Sequence, residues 1–289
     1  MNLIIGLVLV FALVFGGFIL SGGSMDIVLH ALPYEGMIIG GASVGAMIIG
    51  NSFSILKGVL RGVVKVVKGP RFKAADYEAL LKLMYELARL YRSKGIIALD
   101  PHVENPEESE IFKRYPEVMK DKFALDLITE SFRMLAMSFE SPHETEDLIN
   151  RKIRKYHKAQ MKPADAIHKV ADALPAIGIV AAVLGIIKTM GSIDKPPAIL
   201  GGMIGGALVG TFLGVFLAYC IVAPIHARLE QIDNEEVSFY HVIRDMFVAL
   251  VASHPPNICV EIGRSAVSPE KRPGFQEMEE IIRNISKAA

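Results

Sequence analysis

Uncharged runs divide this chain. Asn2 to Leu20 carries no charge, Met37 to Leu56 carries none, Ala173 to Ile187 carries none, and Ala198 to Ala223 continues for 26 residues without one. About 20 apolar residues span a hydrocarbon core of about 30 Å, so four transmembrane helices are predicted, the third short enough that Asp172 and Lys188 must snorkel at its ends. The first run lacks the basic n-region and cleavage site of a signal peptide and is read as a retained span. The segment between the first two, SGGSMDIVLHALPYEG, holds Pro33 and Gly36 and is predicted as a loop. Small and polar residues crowd the second run (Gly40, Gly41, Ser43, Gly45, Gly50, Asn51), which predicts a helix buried in protein. Pro224 is predicted to end the fourth.

The polar stretches have helical periods. Gly58 to Pro70 alternates basic and β-branched residues, with Val59, Val63, Val66 and Val67 able to share a face opposite Arg61, Lys65 and Lys68. That suits an interfacial amphipathic helix or one packed on the next segment. Leu80, Leu83, Met84, Leu87 and Leu90 recur at helical spacing within Asp76 to Tyr91, and Leu125, Ile128, Phe132 and Leu135 do so within Tyr115 to Phe139, with Arg133 outward. Between them Gly95, Pro101 and Pro106 break a loop or two short pieces. After Pro142 another helix covers His143 to His157, and the tail opens with a helical segment from Ile225. No strand pattern emerges. The predicted class is all-α: a polytopic membrane protein with four transmembrane helices and a helical cytoplasmic domain.

Composition agrees with that class, since 52% of the 289 residues are hydrophobic. The formal net charge is zero, which gives no field pointing to nucleic acid. Cys220 and Cys259 are too few and too distant for a disulfide framework or a zinc site, and are read as packing residues. Of the 31 Lys and Arg, 22 fall between Lys57 and Lys169 and seven after Pro224, while the other two connections hold only Lys195. The positive-inside rule then puts insertion, tail and both termini in the cytoplasm. The expected segments are 1–56 (two spans and a short periplasmic loop), 57–169 (cytoplasmic domain), 170–224 (two spans lining an ion path) and 225–289 (cytoplasmic tail).

Little chemistry is written in the spans. Gly202, Gly206, Gly210 and Gly214 recur at every fourth position, giving one face of the last span almost bare and fit for close helix packing. No Asp, Glu or His falls in the middle of a predicted span, so any transported proton needs a titrating group from a partner. Asp172, Pro175, Ala182, Gly185 and Thr189 share one face of the third span. That face serves either tight packing or, with Thr211, a narrow wet path. Pro175 removes a backbone hydrogen bond within the span. No P-loop, nucleophile elbow or metal-ligand spacing is present, the eight histidines are dispersed, and no enzyme, metal or cofactor is expected.

Five stretches carry a resemblance: RSKGIIALDPHVENPEESEIF, LPAIGIVAAVLGIIKTMGS, GGALVGTFLGVFLAYCIVAP, PPNICVEIGRSAV and KRPGFQEMEE. In this order they resemble the MotA/PomA family of flagellar motor stator subunits, distantly related to ExbB and TolQ, over nearly the whole chain. The resemblance implies a ring of five subunits around two copies of MotB, a single-span partner that supplies the ion-carrying aspartate and the peptidoglycan anchor. It implies an ion channel, with H⁺ the expected ion, that couples flow to torque on the rotor protein FliG in the bacterial inner membrane. Pro175 and Pro224 match the prolines tied to ion coupling. Thr211 and Tyr219 match positions beside the ion path, which Thr189 and Ala182 join by their shared face. Arg92 and Asp100 match charged positions facing the rotor. Asp100 stands where the best-known members carry Glu, and Arg151 to Lys158 is basic where some relatives are acidic.

Three other readings compete. An ExbB/TolQ-like energiser of outer-membrane transport would have fewer spans. A self-contained secondary transporter would bring its own intramembrane acid, and a passive membrane anchor would need no path at all.

Overall fold

A computed structural model describes residues 2–137 and 141–288. The elements are helical throughout the described residues: α1 (Asn2–Leu20), α2 (Met25–Gly50), α3 (Phe53–Lys68), α4 (Ala74–Lys94), α5 (Ile96–Glu104), α6 (Glu110–Lys113), α7 (Pro116–Met119), α8 (Lys122–Ala136), α9 (Pro142–Met190), α10 (Pro197–Leu217), a π turn (Ala218–Val222), α11 (Ala223–Val251), α12 (Pro256–Ala266) and α13 (Phe275–Ala288). Among the described residues four stretches are long and apolar enough to cross a membrane. The chain divides into two compact units, 1–69 with 160–232 and 70–159 with 233–289. These boundaries fall inside the expected segments: 57–69 and 160–169 group with the apolar helices, and the tail from 233 shares a unit with the insertion.

Two prolines predicted to break helices, Pro33 and Pro224, do not, and two more are carried inside a helix. Pro33 lies inside α2, which begins at Met25 instead of Met37 and ends at Gly50. Pro163 and Pro175 lie inside the 49-residue α9, so the predicted helix at 143–157 and the third span are one element. Pro224 does not end the fourth span, because the π turn leads directly into α11. A proline removes one backbone hydrogen bond and crowds the carbonyl four residues back, and packed neighbours make both tolerable in apolar helices. Ahead of Pro224 the widened turn absorbs the crowding, with Ala223 N–H reaching back to the Ala218 carbonyl.

In the first unit α1 is exposed on most sides and meets its neighbours through aromatics. Phe11 and Phe15 pack edge-on against Phe216 at ring-centroid distances of 5.4 and 5.6 Å, and Phe15 also meets Phe212. α3 buries Val59, Gly62 and Val66 in a cluster with Ala164, Ile167 and Leu229. Val63 and Val67 are exposed, so the four valines do not share one face; Leu60 and Val64 join the exposed side. Packing is close enough that a Cβ on Gly58 would meet Pro163 Cγ at 2.6 Å, and one on Gly62 would meet Leu229 Cδ2 at 2.7 Å.

The second unit has its own core. Leu80, Leu83, Met84 and Leu87 of α4 pack with Ile128, Phe132 and Leu135 of α8, Phe239, Ile243 and Phe247 of α11 and Val260 of α12, while Leu90 and Leu125 sit at its edge. The predicted Tyr115–Phe139 helix is split into α7 and α8, and Phe139 lies outside the described residues. Asp121 explains the split. Its buried carboxylate caps α8 by accepting from Ala124 N at 2.7 Å, and it also accepts from Tyr240 Oη at 3.2 Å and from Arg71. Glu86, also buried, accepts from Tyr115 Oη at 2.6 Å and pairs with Arg114. Gly95, at φ 77°, turns the chain between α4 and α5, a conformation that favours glycine. Burial pushes the Cys259 thiol up to about 11, which suits an inert packing residue.

Candidate functional site

The glycine stripe of α10 is packed from two sides. Towards α9, a Cβ on Gly214 would lie 2.7 Å from the Leu174 carbonyl oxygen and 2.8 Å from Gly178 Cα, and one on Gly185 would lie 2.6 Å from Ala207 Cβ. Towards α2, a Cβ would meet Ile27 Cγ2 from Gly205 at 3.2 Å, Ala31 Cβ from Gly206 at 3.8 Å and Glu35 Oε2 from Gly210 at 2.5 Å. The steps on α2 are four residues each, as ridge-into-groove packing requires. The stripe has two tasks. Gly210 and Gly214 hold backbones close, whereas Gly202 has nothing near it and, with Gly206, borders a cavity.

The residues expected along an ion path divide between two faces. Ala182 and Thr189 are buried, and Thr189 Oγ1 donates to the Gly185 carbonyl at 2.9 Å. Thr211 is half-buried and Tyr219 is 67% exposed. They align with the exposed Ile204, Leu208 and Val215 at steps of three and four, an apolar face of α10 and the π turn broken by two hydroxyls. Pro175 is half-buried and Pro224 exposed. The histidines are less dispersed than their numbering suggests. His168 of α9 and His226 of α11 stack at 4.5 Å, and His168 lies 3.6 Å from Asp172.

One expectation fails outright. An acid does lie deep among the apolar helices. Because α2 begins at Met25, Glu35 is ten residues inside it, 7% exposed, with Oε2 unpartnered and pressed on Gly210. Gly210 is the thirteenth of the 26 residues in the uncharged run, so the carboxyl sits at half its length. Sequence pattern hides the residue because Pro33 and Gly36 read as loop punctuation. The spacing Ile27, Ala31, Glu35, Ile39, Ser43, every fourth position, would have found it: Glu35, Ile39 and Ser43 are the buried residues of α2. Among the described residues no group of three or more His, Cys, Asp or Glu is placed to hold a metal.

Known proteins match along the whole length. Residues 4–95 fit the description Motility protein A N-terminal, and 117–241 fit the MotA/TolQ/ExbB proton channel family. Motility protein A of Escherichia coli (strain K12) is 35% identical over 285 residues, covering 99% of this chain and 96% of that protein. The chain belongs to the Motility protein A (MotA) family. The chemotaxis protein LafT of Vibrio parahaemolyticus is 36% identical over 279 residues, 96% of this chain and 97% of its own. Two solved structures share the MotA fold: MotAB of C. jejuni, with a TM-score of 0.72 at 21% identity over 95% of this chain and 98% of that one, and the flagellar MotAB stator complex of Bacillus subtilis, at 0.64 and 21% over 89% and 92%.

In this MotA-family chain the two charges expected at the rotor lie in the second unit, on α4 and α5, and both are exposed. Arg92 is already engaged. Its guanidinium donates to the carbonyls of Ser253 and of His254 (3.3 Å), closing the turn after α11, where Ser253 has φ 67°. A cation suits the carbonyl end of a helix. Asp100 adds to the negative field at Arg133, whose pKa is raised chiefly by its hydrogen bonds to Glu104 (2.6 and 3.2 Å). In the basic run Arg151 to Lys158, Lys152 pairs with Glu130 at 2.7 Å, and Arg151, Arg154, Lys155 and Lys158 are exposed.

Proposed function

We propose that this chain is a stator subunit of the flagellar motor that forms an ion channel with the single-span partner MotB and turns ion flow into torque on the rotor protein FliG. Thirty-five per cent identity to a Motility protein A over 99% of the chain carries the reading. The exposed face Ile204, Leu208, Thr211, Val215 and Tyr219 suits it, because an apolar helix face broken by hydroxyls is matched by another helix and a few waters better than by lipid alone. In this reading five subunits ring two MotB copies in the inner membrane, with both termini and the second unit in the cytoplasm. Thr189, Ala182, Thr211 and Tyr219 border the ion path. Pro175 and Pro224 pass the effect of each ion to the torque-bearing unit, where Arg92 and Asp100 meet the rotor. The partner's aspartate carries the ion, expected to be H⁺, and its periplasmic domain holds peptidoglycan.

A second reading is an energiser of the ExbB/TolQ kind, which the match of 117–241 to their shared family favours. The match of 4–95 to Motility protein A weighs against it. Expression with its MotB in a bacterium lacking stators decides between them: restored rotation, with MotB co-purifying, supports the stator. Full expression without rotation or MotB capture defeats it.

A further inference from the structure

The first unit contains a largely apolar cavity with charged and polar groups set in its wall, of which only Thr189 has a place in the ion path above. It has a volume of about 400 Å³ and is lined by Asp26, His30, Tyr34 and Glu35 of α2, Lys188 and Thr189 of α9, and Gly202 and Gly206 of α10. These residues come from the starts of α2 and α10 and the end of α9, so the cavity occupies one end of the apolar helices. Three features make it a built site. Glu35 lines it while 7% exposed, its Oε2 buried without a partner against Gly210, in a setting where an uncompensated carboxylate is costly. Gly210 leaves the space that the carboxyl occupies, and Gly202 and Gly206 leave the wall beyond it bare. Room remains for several waters.

We propose that Glu35 is a cation-loading site, a carboxylate at which the transported monovalent cation (H⁺ or Na⁺) pauses on its way in from the Asp26–His30 mouth. The proposal rests on the stator reading and adds an acid of this chain's own to the one assigned to the partner. The charged and titratable groups facing Glu35 are Asp26, His30 and Tyr34 from its own helix and Lys188 from α9; the α10 wall supplies none. Asp26 gathers cations at the mouth. Lys188, with Nζ 5.9 Å from the Tyr34 ring centre, opposes them and keeps occupancy short, so that a loaded ion leaves again. Water in the cavity carries the ion between these groups. A proton arriving neutralises the carboxylate and a proton leaving restores it; Na⁺ would be held by the carboxylate and water.

The test uses the full chain with its MotB in a stator-less host, reading rotation speed against external pH and, separately, external Na⁺. Glu35→Gln keeps shape and removes charge. It should move the half-maximal ion concentration up by about tenfold, with speed recovering at high ion. Lys188→Met should move it in the opposite direction. The ion whose titration shifts is the one loaded. Glu35→Gln stators that assemble normally and keep the wild-type ion dependence would overturn the proposal. If Glu35→Gln does not assemble, an unshifted Lys188→Met overturns it instead. A wild-type chain that drives no rotation defeats the stator reading and is recognised before either variant is scored.

Discussion

Glu35 and Gly210 occupy one another's space: a Cβ added to Gly210 would lie 2.5 Å from Glu35 Oε2, and 3.1 Å from Ala181 Cβ on the other side. Neither neighbour can give way easily, one being a carboxyl wedged at half the depth of an uncharged run and the other a helix already in contact. The glycine is therefore a condition for the acid's presence.

That relationship predicts opposite outcomes along one stripe. Gly210→Ala should destabilise the helix packing by about 1–3 kcal/mol, the usual range for overpacking. Its stators should assemble poorly. Gly202→Ala, with nothing within 4 Å of the added carbon, should assemble as the wild type does. Detergent melting temperature and MotB co-purification measure both, and equal behaviour of the two variants would refute the division of the stripe.

Arg92 should show two separable defects. Arg92→Ala removes the donor to the Ser253 and His254 carbonyls, and because that contact is exposed the loss should be no more than about 1 kcal/mol. Arg92→Lys keeps a cation at the helix end and should keep most of the stability. If rotation follows the charge and not the melting temperature, the rotor contact is separate from the cap; if both fall together and no rotor charge change restores rotation, Arg92 acts only as a cap.

Acid should weaken the second unit through His241. Burial, the largest cause, followed by the Arg244 charge and His157, holds its pKa below the ordinary 6.5, with Asp245 opposing. Its Nδ1 and that of His157 are both buried without partners. The unfolded chain then binds the proton first as pH falls, so His241's contribution is complete above about pH 6.5 and is lost as pH drops below that towards the folded value. Melting temperature of the full chain should decline through this window, and His241→Gln should flatten the decline. A variant with the wild-type slope would show that other groups cause it.

How much of this was legible in the sequence depended on whether the physics was local. The uncharged runs of α1 and α10 declare themselves because every residue obeys the same rule. The core of the second unit was readable at Leu80, Leu83, Met84 and Leu87 for the same reason. Prolines mislead, because their effect depends on neighbours: Pro33 reads as loop, which hides Glu35, and Pro224 reads as a stop. The stack of His168 on His226 joins residues distant in sequence, and no spacing rule announces it.

Pro224 gives the sharpest test of coupling. With no N–H to offer Cys220, it sits two residues after the widened turn Ala218–Val222, where Ala223 N–H bonds the Ala218 carbonyl five residues back. Pro224→Ala restores the donor, and a regular α-turn, tighter by one residue per hydrogen bond, becomes competitive. The register of α11 against α10 would then change by about 100°, the rotation of one residue in an α-helix. Ion flow and MotB binding depend on the helices before this point and should survive, while rotation should fall several-fold or more. Spin labels on either side of the turn would report the register change directly. A Pro224→Ala stator with unchanged label distances and normal speed would show that the π turn forms for reasons of its own and that Pro224 is not the joint between ion flow and torque.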